Sequence, residues 1–221
     1  MKVIETWIET GTKLVFAGAQ NWPGWCRSGR DEATALQNLW AYRGRYAQVL
    51  KAGEVSFLDA GEDASLAVTE RAKGSTTTDF GSPGALVGSD ALPLSAEELA
   101  LDRLLLPACW LALDRAAQQA RGRALRKGPR GGGRELGEIV AHVLEAEHAY
   151  LGRTGWALSS VPGEEPGWTR QSVLSALEAK VKGELPERGP RGGMLWPARY
   201  FVRRVAWHIL DHAWEIEDRI V

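Results

Sequence analysis

The chain has 221 residues, with 27 Lys and Arg against 28 Asp and Glu, for a net charge of −1. Hydrophobic residues make up 44% and charged residues 25% of it, enough to bury a core, so disorder as the main state is excluded. No apolar run approaches the ~18 residues of a membrane-spanning helix, and the balanced charge lacks the basic footprint that a protein dedicated to nucleic acid needs.

The N-terminal part reads as small α/β. Residues 2–9 (KVIETWIE) alternate, with Ile4, Thr6 and Ile8 on one face and Val3, Glu5 and Trp7 on the other, which predicts a strand. Gly11-Thr12 predicts a turn and residues 13–19 (KLVFAGA) a second strand, together a hairpin. Residues 22–25 (WPGW) predict a tight corner, because Pro fixes φ and Gly accepts positive φ. A helix is expected over 31–50, with Asp31 and Glu32 in its first turn and Ala35, Leu36, Leu39, Tyr42, Tyr46 and Leu50 as its apolar stripe. Residues 54–58 (EVSFL) predict another strand. Residues 72–93, rich in Gly, Ser, Thr and Pro, show no period and read as a connection, with a domain boundary near 85–94.

Beyond that the grammar turns helical. Ser95 and Glu98 form the S-x-x-E pattern of a capping box. A first helix over 95–126 is expected to kink or split at Pro107, and GPRGGG at 128–133 stops it. A second helix covers about 134–153, a Gly/Pro loop 155–168, and a third helix 169–184 with Thr169 as candidate cap. GPRGG recurs at 189–193, and Pro197 opens a last helix running to about 219. Each GPRGG copy reads either as a helix terminator or as an Arg-bearing loop for an anionic group.

Chemistry-bearing residues are unevenly spread. The two cysteines, Cys26 and Cys109, make neither a disulfide framework nor a Cys-based zinc site. The N-terminal MKVIETWIET lacks the apolar segment of a signal peptide, so a reducing cytoplasm is the expected location. All four histidines fall between residues 142 and 212. His208 and His212, four apart on the last helix, stack their Cβ atoms on one face ~5–6 Å apart, close enough to share one ion at bonds of ~2.0–2.1 Å. Arg204 lies one turn before and Glu215 one turn after, so a polar stripe runs between Trp207, Leu210 and Trp214, which read as core. Such a stripe needs partners, and a metal would supply one. For a third ligand the second helix offers His142 and His148. His142 follows Ile139 by three residues on the inward side, whereas His148, near Glu145 and Glu147, reads as solvent-facing, so His142 is chosen. Three histidines leave a coordination position open, as catalytic metals require.

With these residues in hand, the C-terminal part resembles the DinB/YfiT-like family of metal-binding four-helix bundles. The resemblance rests on His142 in HVLEAEHAYL and on the HxxxH of the last helix, His208 and His212 in WHILDHAWEIEDR, and covers about residues 95–221. It implies a divalent metal, zinc or nickel, held by three His with water completing the shell, a crossover between the second and third helices, and thiol-dependent transfer or isomerisation with a low-molecular-weight thiol. The N-terminal part is similar, more loosely, to the HicB-like fold of antitoxin proteins over WPGWCRSGRDEATALQNL, residues 22–39. No helix-turn-helix or ribbon-helix-helix segment accompanies it.

The expected fold is therefore α+β: a small N-terminal β-β(-β)-α-β domain (residues 1–90, HicB-like, with an irregular tail) followed by a C-terminal four-helix bundle (residues 91–221, DinB-like). The expected function is a metal-dependent transferase or hydrolase acting on a small molecule. In it His142, His208 and His212 hold the ion, while Glu215 or Glu145 orients a ligand His or accepts a proton. Arg204, Arg130 or Arg191 binds a substrate carboxylate. The alternative is a non-catalytic regulatory or protein-binding module in which the N-terminal domain holds a partner through its sheet edge or through Trp22 and Trp25, the metal being structural. A third, minor reading is nucleic-acid binding through residues 121–134, which carry six Arg or Lys and no acid. No membrane association is expected. A homodimer stays open.

Overall fold

The computed structural model describes residues 2–57, 64–127, 133–157 and 166–221, and shows an α+β chain: a four-stranded mixed sheet, then a helical C-terminal part. Strands β1 (Val3–Thr10) and β2 (Val15–Ala19) form the expected antiparallel hairpin, with Thr10 opposite Val15 and the Gly11 N–H donating to the Leu14 carbonyl at 2.9 Å. The corner at 22–25 turns the chain into β3 (Cys26–Gly29), antiparallel to β2. Gly24 adopts φ +92° there, and an added Cβ would stand 2.9 Å from Leu210 on the last helix, so both the turn and the close approach need glycine.

The expected continuous helix at 31–50 is two helices, α1 (Glu32–Ala41) and α2 (Arg43–Ala52), with Tyr42 between them at φ −83°, ψ −2°. The cause is tertiary. The Tyr42 ring packs edge-on against Trp214 at 5.0 Å and under the Arg27 guanidinium at 4.1 Å, and its hydroxyl donates to Asp218. Glu32 sits in the first turn as expected, whereas Asp31 stands just before the helix as its N-cap, accepting from the Thr34 N–H at 2.7 Å.

The strand expected at 54–58 is not one: residues 54–57 are irregular, and Leu58 lies outside the described residues. Val55 N–H closes back on the Leu50 carbonyl at 2.9 Å, and Phe57 fits edge-on among Trp22, Trp25 and Tyr46, so this segment plugs the core instead of joining a ladder. The last strand is β4 (Ser65–Lys73), parallel to β1, giving the order β3-β2-β1-β4. It overlaps the start of the segment read as irregular. The rest of that segment holds a one-turn helix, α3 (Thr76–Asp79), and a 3₁₀ turn at Gly88–Ala91. Buried Glu9 of β1 ties it down, accepting from the N–H groups of Gly84 and Ala85 at 2.9 Å each.

The C-terminal part contributes α4 (Ala96–Ala120), α5 (Leu136–Thr154), α6 (Pro166–Val181) and α7 (Ala198–Arg219). The Ser95–Glu98 capping box forms as read. Helix α4 runs through Pro107 without splitting. Thr169 is no cap: it is buried inside α6. Sixteen of the twenty-two residues of α7 are buried, because it packs along α4, α5 and α6 and also under the 82–91 segment. One core runs from Trp25, Tyr46 and Leu50 through Leu105, Leu106 and Cys109 to Phe201 and Ile209, so sheet-side and helical elements share their interior. Trp22 and Trp25 lie in it, with the Trp25 indole N–H on the Leu39 carbonyl at 2.8 Å, and are not surface contacts for a partner. Among the described residues no helix is long and apolar enough to cross a membrane.

One core group makes stability depend on pH. Glu147 is buried on α5 and accepts from the Trp110 indole N–H at 2.6 Å, and burial pushes its carboxyl up to about 7. The folded state therefore holds the proton more tightly than the unfolded chain, whose Glu titrates near ~4.3. The group's favourable contribution is complete below that value and is lost as pH rises through 7. Glu147→Gln keeps the acceptor and removes the charge. Denaturant melts should show the variant up to about 3 kcal/mol more stable than the parent at pH 8.5, with the gap closing by pH 4. Equal pH slopes for the two proteins would contradict it.

Candidate metal centre

His208 and His212 share a face of α7, and α5, lying against α7, carries His142 to the same point. The three rings meet edge-to-face, with centroids 5.0 Å (His142–His208), 5.1 Å (His142–His212) and 4.7 Å (His208–His212) apart. One ring nitrogen from each lies within 4.8 Å of the other two. His208 and His212 are 6% and 8% exposed, whereas His142 is half-buried and forms the open side.

Two details bear on whether these residues suit a metal. The Nε2 atoms of His142 and His208 are 3.2 Å apart. Two nitrogens bound tetrahedrally to one ion at ~2.0–2.1 Å lie ~3.3–3.4 Å apart, so this pair already has nearly the spacing of ligands. Second, His212 Nδ1 sits 2.7 Å from Glu215 Oε2, and Glu215 Oε1 accepts from Arg219 at 2.6 Å. His212 first and Arg219 after it hold the Glu215 carboxyl below its ordinary range, so it is an ionised acceptor. The His212 proton then belongs on Nδ1, leaving the Nε2 lone pair free, the orientation that carboxylate–histidine–metal triads use.

Burial is the main cause that pushes His142 down and His208 well down, with neighbouring positive groups adding to it. Both imidazoles are therefore neutral at pH 7, the form that ligates. His208 Nδ1 is buried without a hydrogen-bond partner among the described residues. That leaves Nε2, which faces His142 Nε2, as the nitrogen turned to the shared point.

The other predicted residues fall as follows. Arg204 is buried beside the cluster, its Nη1 on Ser82 Oγ at 3.0 Å and on the Pro83 carbonyl, its Nη2 on the Tyr150 hydroxyl at 3.1 Å. Its guanidinium is thus largely spent on holding the 82–83 segment to α7. Glu145 is exposed on α5, and Arg191 is exposed in a turn closed by the Gly189 N–H on the Gly193 carbonyl. Arg130 and the first GPRGG copy lie outside the described residues. His148 is not solvent-facing: it is half-buried, with Nε2 2.7 Å from Thr169 Oγ1 and its ring against Trp168. The described part of the basic stretch is stitched to the end of α7, with Arg123 on the Val221 carbonyl and Arg126 on the Asp218 carbonyl.

Two residues went unread. Arg219 fixes Glu215, and its i+4 spacing from it was legible. Tyr150, two turns beyond His142, has its ring centroid 5.8 Å from that of His208. No protein-family model, curated protein or solved structure matches the chain.

Proposed function

We propose that this protein is a metal-dependent enzyme of the DinB-like kind, a thiol-dependent transferase or a hydrolase acting on a small molecule, with α4–α7 as its four-helix bundle. The observation that carries the reading is the convergence of three imidazole nitrogens, two of them 3.2 Å apart, from two separate helices. His142, His208 and His212 would hold a divalent ion, zinc or nickel by the nitrogen-only donor set. Bound there, such an ion lowers the pKa of a coordinated water or thiol toward neutrality.

The chain's own groups do the rest. Glu215 is a positioning residue: it fixes the His212 tautomer and is itself fixed by Arg219. The Tyr150 hydroxyl accepts from Arg204, which leaves its own proton available to a substrate oxygen, and burial keeps that phenol protonated by pushing it up. Buried Trp207 and Arg204, with half-buried Tyr150, keep bulk water off His208, so substrate approaches from the side of His142. Exposed Arg134, whose charge reaches His142 and His208, would attract an anionic substrate or thiol by long-range field alone.

The test is a panel of low-molecular-weight thiols with alkylating and epoxide electrophiles, run beside simple esters and amides, using protein loaded with zinc or nickel. The reading predicts turnover that is lost in His212→Ala and lowered in Tyr150→Phe with the metal retained. Absence of turnover with either metal across the panel, or turnover unchanged in His212→Ala, would overturn it.

A further inference from the structure

A second site lies on another sector of α7. A cavity of about 290 Å³ opens between the corner after β2, the 3₁₀ turn, α4 and α7. No histidine lines it. Its charged residues are five, and four are matched. Arg203 holds Asp90 in a buried two-point ion pair, and Arg199 holds Glu98. Asp102 is left over. It is 5% exposed, faces the cavity from α4, and makes no hydrogen bond or ion pair with any described residue. The cavity therefore carries one acid more than it has bases.

An uncompensated buried carboxylate is expensive, and a fold tolerates one when something else supplies its partner. Burial pushes Asp102 up to about 7, so near neutral pH the group is poised between charged and neutral forms. The rest of the wall decides what the partner can be. Leu94, Leu101, Val87 and Pro23 are apolar, and Trp7 closes one side with Arg203 laid 4.4 Å from its ring centroid. A divalent metal would want several oxygen ligands, and only one carboxylate here is unspoken for. A carboxylate or phosphate ligand would meet Asp102 and find both arginines already in ion pairs; Arg203 Nη1 and Trp7 Nε1 have no hydrogen-bond partner among the described residues, but both atoms are covered from the cavity.

We propose that this cavity binds a small organic cation, a primary amine or an amidine, with its charged head on Asp102 and an apolar body against Leu94 and Leu101. The volume suits a body of about one ring, at the small end of ligand pockets. The site stands apart from the histidine cluster, so it belongs to an effector or to a second substrate and does not depend on the metal.

The experiment uses the full chain at pH 8, where Asp102 is ionised, and four probes of one shape: benzylamine, benzamidine, benzyl alcohol and benzoate. Calorimetry and ligand-induced thermal shift read binding. The proposal expects the two cations to bind saturably and at least about tenfold more tightly than the alcohol, with benzoate not binding. Asp102→Asn should cost the cations about tenfold or more while the protein stays folded, since no protein contact is lost. Leu94→Trp, which fills the cavity and spares the carboxyl, should abolish binding. His208→Ala should leave it unchanged. No saturable binding of either cation at about 10 mM, equal binding to Asp102→Asn, or preference for benzoate would each overturn the proposal.

Discussion

His208→Ala should abolish binding of the divalent ion proposed here and leave the protein folded. His208 is one corner of a nearly equilateral triangle of rings, 3.2 Å from His142 through Nε2 and one helical turn from His212. Without it, two imidazoles from different helices remain, and two nitrogen ligands do not hold zinc or nickel through a desalting column. The fold should survive, because the ring removed is one whose Nδ1 is buried without a partner and whose neighbours Val205 and Ile209 stay packed. Glu215→Gln tests the outer layer separately. It removes the charge that pins His212 and should weaken metal affinity by about 10–100-fold without abolishing it. Metal content by elemental analysis, beside circular dichroism, reads both. A His208→Ala protein that keeps one equivalent of metal would place the ion elsewhere.

The second large effect lies where the 3₁₀ turn meets α7. Asp90 and Arg203 are both buried, and Asp90 also accepts from the Val87 N–H at 2.8 Å. Asp90→Asn leaves the Arg203 guanidinium inside the protein without its counter-charge, and breaking one side of such a pair costs about 3–5 kcal/mol. For a chain of this length that is a fall in Tm of roughly 10 °C. Arg203→Met added to Asp90→Asn removes the stranded charge and should recover part of the loss, the signature of a pair rather than of two independent sites. Additive losses in the double variant would contradict this account. The pair matters beyond stability, since it pins the 82–91 segment to the helix that carries His208 and His212, and Tyr200 and Arg204 do the same through the Gly84 and Pro83 carbonyls.

What the sequence disclosed tracks which forces are local. The hairpin, the Gly24 corner, the Ser95 capping box and the α7 stripe are written in near neighbours along the chain, and all are present. The histidine triad was legible for the same reason on α7, and for His142 because Ile139 marks the inward side of α5. The misses are tertiary. Tyr42 interrupts a helix because Trp214, 172 residues on, takes its ring. Val55 and Phe57 read as a strand but serve the core. Strand β4 hides behind Glu70, Arg71 and Lys73 because an edge strand buries little. Glu147 and His148 read as a polar face, yet Trp110 and Thr169 arrive from α4 and α6 to pair with them.

The central claim is that His142, His208 and His212 bind one ion together. X-ray absorption at the zinc or nickel edge of the protein as purified tests it most directly. The account predicts one equivalent of metal with three imidazole nitrogens at ~2.0–2.1 Å and a remaining light-atom ligand, the imidazole signal diminishing in His142→Ala. A metal-free protein that fails to take up zinc or nickel on titration, or a bound ion whose shell holds no imidazole, would contradict it.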